Sequence, residues 1–174
     1  MRRETRRVPI EFRDDPARMS PGIVRGRVIS FGEWADIGGM FRERIMSLDL
    51  ADRITANVQH SRQRLLAATG PNGRLRIDRS TAGIDAVITL PDTSDGRDAA
   101  TLIREQALTG LSVEMEVGSD EWNNNDRTVR SGMLYAVGIV DTPAYAGSML
   151  EELRANAQGE PHLFRDLRGN RVWL

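Results

Sequence analysis

The sequence predicts an α+β fold that is mostly β, with about seven short strands and two or three helices arranged as a barrel or a sandwich. Three observations carry this. Short runs of alternating apolar and polar residues recur at intervals of about ten residues, rather than alternating with helices as βα units do. Helical periodicity is confined to a few short segments. The chain has 174 residues, enough for one domain with a real core and too few for two ordinary ones.

The elements follow in order. Arg7 to Arg13 alternates, with Val8, Ile10 and Phe12 on one parity, and reads as a strand. Gly22 to Phe31 is a second strand, its Gly26 marking a bulge or a close backbone approach. An irregular connection through Gly38-Gly39 leads to Met40–Leu50, where Phe41, Ile45 and Leu48 suggest a short helix. Ile54 to His60 alternates again, with Ile54, Ala56, Val58 and His60 on the inward parity. The turn Gly70-Pro71-Asn72-Gly73 precedes a strand at Leu75–Ile77, and Gly83 to Leu90 is a further strand stopped by Pro91. A helix is expected from about Arg97 to Thr109, capped by Asp95 and ended by a left-handed Gly110. Leu111 to Val117 alternates strictly. Gly118 to Asp126 reads as a loop around Trp122. Two more strands, Thr128–Ser131 and Met133–Val140, are expected about a turn at Ser131-Gly132. Beyond Pro143 the character changes, which sets the expected organisation: a domain over 1–150, then 151–174 as a C-terminal amphipathic helix (Ser148 to Ala157) and a loosely held polar tail.

Composition excludes several functions. Hydrophobic residues are 40% and charged residues 28%, a globular balance. No apolar run reaches the length of a membrane span, and no apolar stretch follows the Arg-rich N-terminus as a secretory signal requires. The net charge of −1 argues against a dedicated nucleic-acid binder. All 24 basic residues are Arg, which points to a GC-rich coding sequence more than to anion binding. Cysteine is absent, so disulfides, thiolate metal sites and a Cys nucleophile are excluded. Only His60 and His162 can supply an imidazole; there is no HExxH and no P-loop around Gly38-Gly39.

Ser112 follows an expected helix stop and opens an alternating strand, a place where a nucleophile can be presented. Its parity, shared with Glu114 and Glu116, sets it opposite Leu111, Val113 and Met115 and so away from the core. With ten serines in the chain, that position alone is equally that of an ordinary strand serine. A serine nucleophile needs a base within hydrogen-bond reach. His60 is the candidate, against the plainer reading of a strand-end histidine bonded to backbone, and its inward parity conflicts with the outward parity of Ser112 unless a bulge intervenes. His162 lies in the tail, where an imidazole is poorly fixed. Glu114 and Glu116 read as a solvated strand face, and Trp34 and Trp122 as packing residues.

Four motifs in order resemble the caudovirus prohead protease family, over residues 5 to 150. Phe31-Gly32-Glu33-Trp34 through Glu43-Arg44-Ile45 is similar to its early region. Val58-Gln59-His60 stands where the family's Asn-His pair, or a close variant, carries the catalytic base. Gly110-Leu111-Ser112-Val113 resembles its Gly-Leu-Ser nucleophile segment, and Val140-Asp141-Thr142-Pro143-Ala144-Tyr145 its Val-x-x-Pro-Ala turn. The resemblance implies the fold of the herpesvirus assembly proteases, a closed β-barrel of about seven short strands flanked by two or three helices. It implies a serine endopeptidase inside the immature capsid in the host cytoplasm, cleaving the major capsid protein precursor, the scaffold, and often itself. Ser112 would be the nucleophile and His60 the base, with no metal or cofactor. The herpesvirus enzymes work as dimers, so a homodimer is compatible with it; no nucleic acid or membrane partner is implied.

One departure stands out. Many members of the family carry a glutamate as third catalytic residue in a strand matched here by Leu134-Tyr135-Ala136-Val137-Gly138, which puts Ala136 in its place. Another carboxylate, Asp141, Glu114 or Glu116, would then substitute, or the enzyme would run as a Ser-His dyad, or the domain would be an inactive capsid-assembly or scaffold module that keeps the barrel. An unrelated β-barrel binding domain is the third reading. The Ser112–His60 separation discriminates: one hydrogen bond favours the enzyme, opposite walls a binding role.

Overall fold

Side-chain alternation, together with one 3.6-period stretch, builds thirteen strands and one helix among the described residues. The computed structural model describes the backbone of residues 3–9, 11–15, 20–141, 164–165 and 171–172, with side chains over 20–141. The strands are β1 (Arg3–Pro9), β2 (Glu11–Asp15), β3 (Ser20–Ser30), β4 (Ala35–Ile37), β5 (Phe41–Ile45), β6 (Asp49–Val58), β7 (Ser61–Ala68), β8 (Leu75–Arg79), β9 (Gly83–Thr89), β10 (Gly110–Asn123), β11 (Asp126–Val140), β12 (Phe164–Arg165) and β13 (Arg171–Val172). The helix α1 (Ser94–Arg104) lies between β9 and β10.

The expected closed barrel with two or three helices is not what forms. The main strands make two open sheets, one of seven strands ordered β1-β10-β11-β5-β4 with β6 and β7 joined through β11, and one of four ordered β2-β3-β9-β8. Closure would require the outer strands to pair with one another. Here β1, β4 and β7 end the larger sheet, and β2 and β8 the smaller. β5 and β6 lie one after the other along a single edge of β11, both parallel to it: Asp126 to Val129 pair with Arg42 to Ile45, and Met133 to Ile139 with Asp49 to Val58. The chain crosses between sheets from β1, which pairs with β10, to β2, which pairs with β3. One buried cluster joins the sheets, with Val24, Ile29, Ile84 and Ile88 from the smaller and Ile54, Leu111, Met115, Leu134 and Ile139 from the larger. Each such side chain contributes about 1.5–3 kcal/mol of burial.

Local differences from the sequence reading have physical causes. Met40–Leu50 is not a helix; it holds β5 and the start of β6. Phe41 and Ile45 are four apart, a spacing that fits both periods, and the inward residue between them, Glu43, is charged. Its carboxylate is 1% exposed and meets Arg127 Nη1 at 3.2 Å, while Arg127 Nε also bonds Asp120 at 2.6 Å. This buried pair ties β5 to β11 and β10, and it hid the strand by putting a charge where alternation calls for an apolar residue. In the two main sheets, two strands went unread: β4, and β7, whose polar start Ser61-Arg62-Gln63-Arg64 gave no alternation. The Gly118–Asp126 loop and the Ser131-Gly132 turn are both absent, because β10 and β11 form one long hairpin closed at Asn124-Asn125, with Asn124 at φ 54°. α1 runs from Ser94 to Arg104, not from Arg97 to Thr109. Thr93 caps it in place of Asp95, its hydroxyl accepting from Gly96 N at 3.2 Å, and the left-handed residue beyond its end is Gln106 rather than Gly110, which already belongs to β10. The bulge in β3 falls between Arg27 and Ile29, past Gly26, which stays paired with Ala86.

The helix expected at Ser148–Ala157, the boundary at 150/151 and His162 lie outside the described residues. Within the expected tail, β12 and β13 pair antiparallel.

Breaking a buried ion pair from one side strands the other charge, which is worth about 3–5 kcal/mol. Glu43→Ala should therefore lower the urea midpoint by that equivalent, whereas Arg130→Ala, at an exposed pair with Glu121, should change it by less than about 1 kcal/mol. Equal effects of the two substitutions would contradict this account.

Candidate active site

β6, β11 and β10 lie side by side, and their registers set two rows across the sheet. One row is Asn57, Gly138 and Ser112; the next is Thr55, Ala136 and Glu114. β11 thus contributes nothing larger than a methyl group between two strands that carry polar side chains. The result is a shallow trough into which both flanking strands reach.

His60 enters that trough from the β6–β7 hairpin. Val58 pairs with Ser61, so Gln59 and His60 are the two central residues of the turn, at φ 52° and 57°. Positive φ at both positions marks a type I′ turn, which glycine and asparagine normally occupy. Left-handed conformations cost non-glycine residues of order 1–3 kcal/mol each and persist where surrounding structure enforces them. The Gln59 amide holds the turn by donating to Ile139 O at 3.0 Å. Because His60 is in the turn and no longer in the strand, its parity in β6 does not decide where its ring points. This removes the conflict in facing that the sequence posed.

The imidazole lies over Gly138. An ideal Cβ built there would meet His60 Cε1 at 2.7 Å, Nδ1 at 3.0 Å and Nε2 at 3.1 Å. Glycine is what lets the ring cross β11 and reach β10. There Nε2 is 2.9 Å from Ser112 Oγ, and Nδ1 is 3.1 Å from Glu114 Oε1. The same carboxylate oxygen accepts from Asn57 Nδ2 at 3.3 Å. A carboxylate beside Nδ1 favours the tautomer with its proton on Nδ1, which leaves Nε2 to accept from the serine hydroxyl.

Ser112 was expected to face away from the core. It is on the face opposite Leu111 and Val113, but it is fully buried, with the His60 ring against its hydroxyl. Of the three carboxylates considered, Glu114 is the one that meets His60. Glu116 accepts from the Tyr135 hydroxyl at 2.5 Å, and Tyr135 is the extra residue of a bulge in β11. Asp141 is exposed at the end of β11, its carbonyl accepting from the Thr109 hydroxyl at 2.7 Å. Asn57 and Gly138 went unremarked in the sequence. Their signals were an amide among the apolar residues of β6 and a glycine inside a strand. Trp34 and Trp122 are far from buried; Trp34 lies under Arg42 and Arg44, and Trp122 beside Phe41 and Arg127. Among the described residues no group of three His, Asp or Glu is placed to hold a metal ion.

A serine hydroxyl, an imidazole and a carboxylate hydrogen-bonded in that order form the arrangement of a serine hydrolase, set here on open, mostly antiparallel sheets. The chain belongs to the caudovirus prohead serine protease family, whose model matches residues 9–161. Its class is accordingly that of a serine protease of phage capsid maturation. No curated protein and no solved structure matches it.

Gly138→Ala should displace the ring. With only two histidines in the chain, imidazole NMR signals are easily assigned, and the His60 resonances should move. Overpacking of this kind should also destabilise the fold by about 1–3 kcal/mol. Unmoved His60 signals would show that the ring is not seated on Gly138.

Proposed function

We propose that the chain is the endopeptidase that trims capsid precursors inside the prohead, with Ser112 as nucleophile, His60 as general base and Glu114 as the acid that orients His60. The observation that carries this reading is the unbroken hydrogen-bonded chain Ser112 Oγ–His60 Nε2 and His60 Nδ1–Glu114 Oε1, at 2.9 and 3.1 Å.

The reaction is acyl transfer in two stages. Ser112 Oγ attacks the scissile carbonyl carbon as His60 Nε2 takes its proton, and the imidazolium that forms is stabilised by the Glu114 carboxylate. The tetrahedral intermediate collapses with cleavage of the C–N bond, His60 delivering the proton to the leaving amine. Water then attacks the acyl-serine ester with His60 again as base, which frees the new carboxyl terminus and restores the serine. Backbone N–H groups are the natural donors to the developing oxyanion. The substrates proposed are the major capsid protein precursor and the scaffold, which share the interior of the immature capsid with the enzyme.

Glu114 answers the departure at Ala136. The two residues are direct cross-strand partners in β10 and β11, and paired Cβ atoms in such a ladder lie about 4.5–5.5 Å apart. A carboxylate hung from β10 therefore reaches the place a side chain at position 136 would fill, and alanine leaves the space for it. A second reading, an inactive capsid-assembly module, draws on the complete burial of Ser112.

The test is co-expression with the cognate capsid protein, read by intact mass of the capsid subunit. Wild type should shorten the subunit, and Ser112→Ala should leave it whole with an unchanged thermal midpoint. A subunit shortened equally by Ser112→Ala would end the proposal, and one left whole by wild type would favour the inactive module. Glu114→Gln keeps the shape but removes the charge that supports the imidazolium, and should slow cleavage by about 10²–10⁴-fold, in the range of acid losses in such triads.

A further inference from the structure

We infer that Asn57 is a positioning residue that holds the Glu114 carboxylate against His60; this rests on the Ser112–His60–Glu114 reading above. Asn57 is 3% exposed and stands in β6 between Ala56 and Val58, both fully buried. Stability does not call for an amide there. Its Oδ1 is buried without a hydrogen-bond partner, and a buried acceptor left unsatisfied is a net liability that an apolar side chain of the same shape would remove. The gain must come from the other end of the amide, where Nδ2 donates to Glu114 Oε1 at 3.3 Å.

The orientation of the amide follows from chemistry. Turned over, it would aim Oδ1 at a carboxylate oxygen, an acceptor against an acceptor. With Nδ2 facing Glu114, one carboxylate oxygen receives two donors from two directions, Asn57 from the strand and His60 Nδ1 from the turn at that strand's end. Asn57 and His60 are only three residues apart, so a single short segment carries both the base and the group that fixes the base's acid. Across the sheet, β11 offers Glu114 only the methyl group of Ala136. Among the described side chains of the neighbouring strands, Asn57 is the one that bonds the carboxylate, and it thereby sets where that carboxylate sits and, through it, the tautomer and tilt of His60. A carboxylate released from Asn57 would rotate away from Nδ1, and the fraction of His60 poised with a free Nε2 toward Ser112 would fall. Ground-state binding of the substrate would not change.

The experiment is a double-mutant cycle on the full chain, with purified capsid precursor as substrate and cleavage followed by intact mass. Asn57→Leu should lower kcat by about 10- to 100-fold with little change in KM, the size of effect seen when an outer partner of a functional imidazole is removed. In the Glu114→Gln background, Asn57→Leu should cause no further loss, because its effect runs through the carboxylate already altered. A merely structural role would give the same fractional loss in both backgrounds, and that additive result would overturn the inference. So would wild-type kcat in Asn57→Leu. Thermal midpoints are recorded for every variant, with Asn57→Ala as the substitute if the leucine fails to fold. The two proposals fail differently. Glu114→Gln cleaving at the wild-type rate removes the triad and this inference with it; Glu114→Gln slow and Asn57→Leu fast removes this inference alone.

Discussion

An imidazole that must act on a residue two strands away needs an unobstructed path across the strand between them. In this chain that path is Gly138. Adjacent strands are about 4.8 Å apart, so His60, turning back from the end of β6, has to lie flat over β11 to touch β10. Every other relation in the site depends on this one. The type I′ turn sends the ring in the right direction, the registers of β11 with β6 and β10 place Asn57 and Ser112 on either side of Gly138, and the methyl of Ala136 leaves the adjoining space to Glu114. Any larger residue at 138 would occupy the volume of the ring itself.

The two charged clusters of the larger sheet solve different problems with the same chemistry. Glu43 and Arg127 are buried together and satisfied by each other and by Asp120, and they hold β5 against the tip half of the β10–β11 hairpin. Glu114 sits in the other half of that hairpin, and its partners are an amide and an imidazole, which share one of its oxygens. A full counter-charge such as arginine would saturate the carboxylate and leave little for His60. Neutral donors leave its charge available for the moment an imidazolium forms. Among the described side chains, the cluster that holds strands together is paired with arginine, and the cluster proposed to assist chemistry is not.

Much of this was readable from residues in order, and the failures share a cause. Alternation located β9 and the first half of β10, because there one parity is apolar throughout; β3 was located too, although a bulge shifts its parity between Arg27 and Ile29. It failed at β5, where the inward residue is Glu43, at the outer half of β10, where exposure on both faces erased the pattern, and at β7, whose first residues are polar. The closed barrel was inferred from likeness and not from pairing; which strand lies beside which is a long-range property, and the end-to-end placement of β5 and β6 along β11 has no local signature. The roles of Ser112 and His60 were anticipated through the family likeness; the residues alone, with only two histidines to choose from, left each open to a plainer reading. Glu114 stood among three candidates and could not be separated from Glu116, since both share a face of one strand. What separates them is the position of a ring that reaches Nδ1 only as far as the nearer one. Asn57 and Gly138 were invisible as functional residues because their roles are relations to His60 across the sheet.

The complete burial of Ser112 bears on timing. A hydroxyl with no exposed surface cannot meet a peptide carbonyl until neighbouring atoms move aside, and the work of moving them has to be drawn from contacts made elsewhere along the incoming chain. A short fragment brings few such contacts; a long polypeptide brings many.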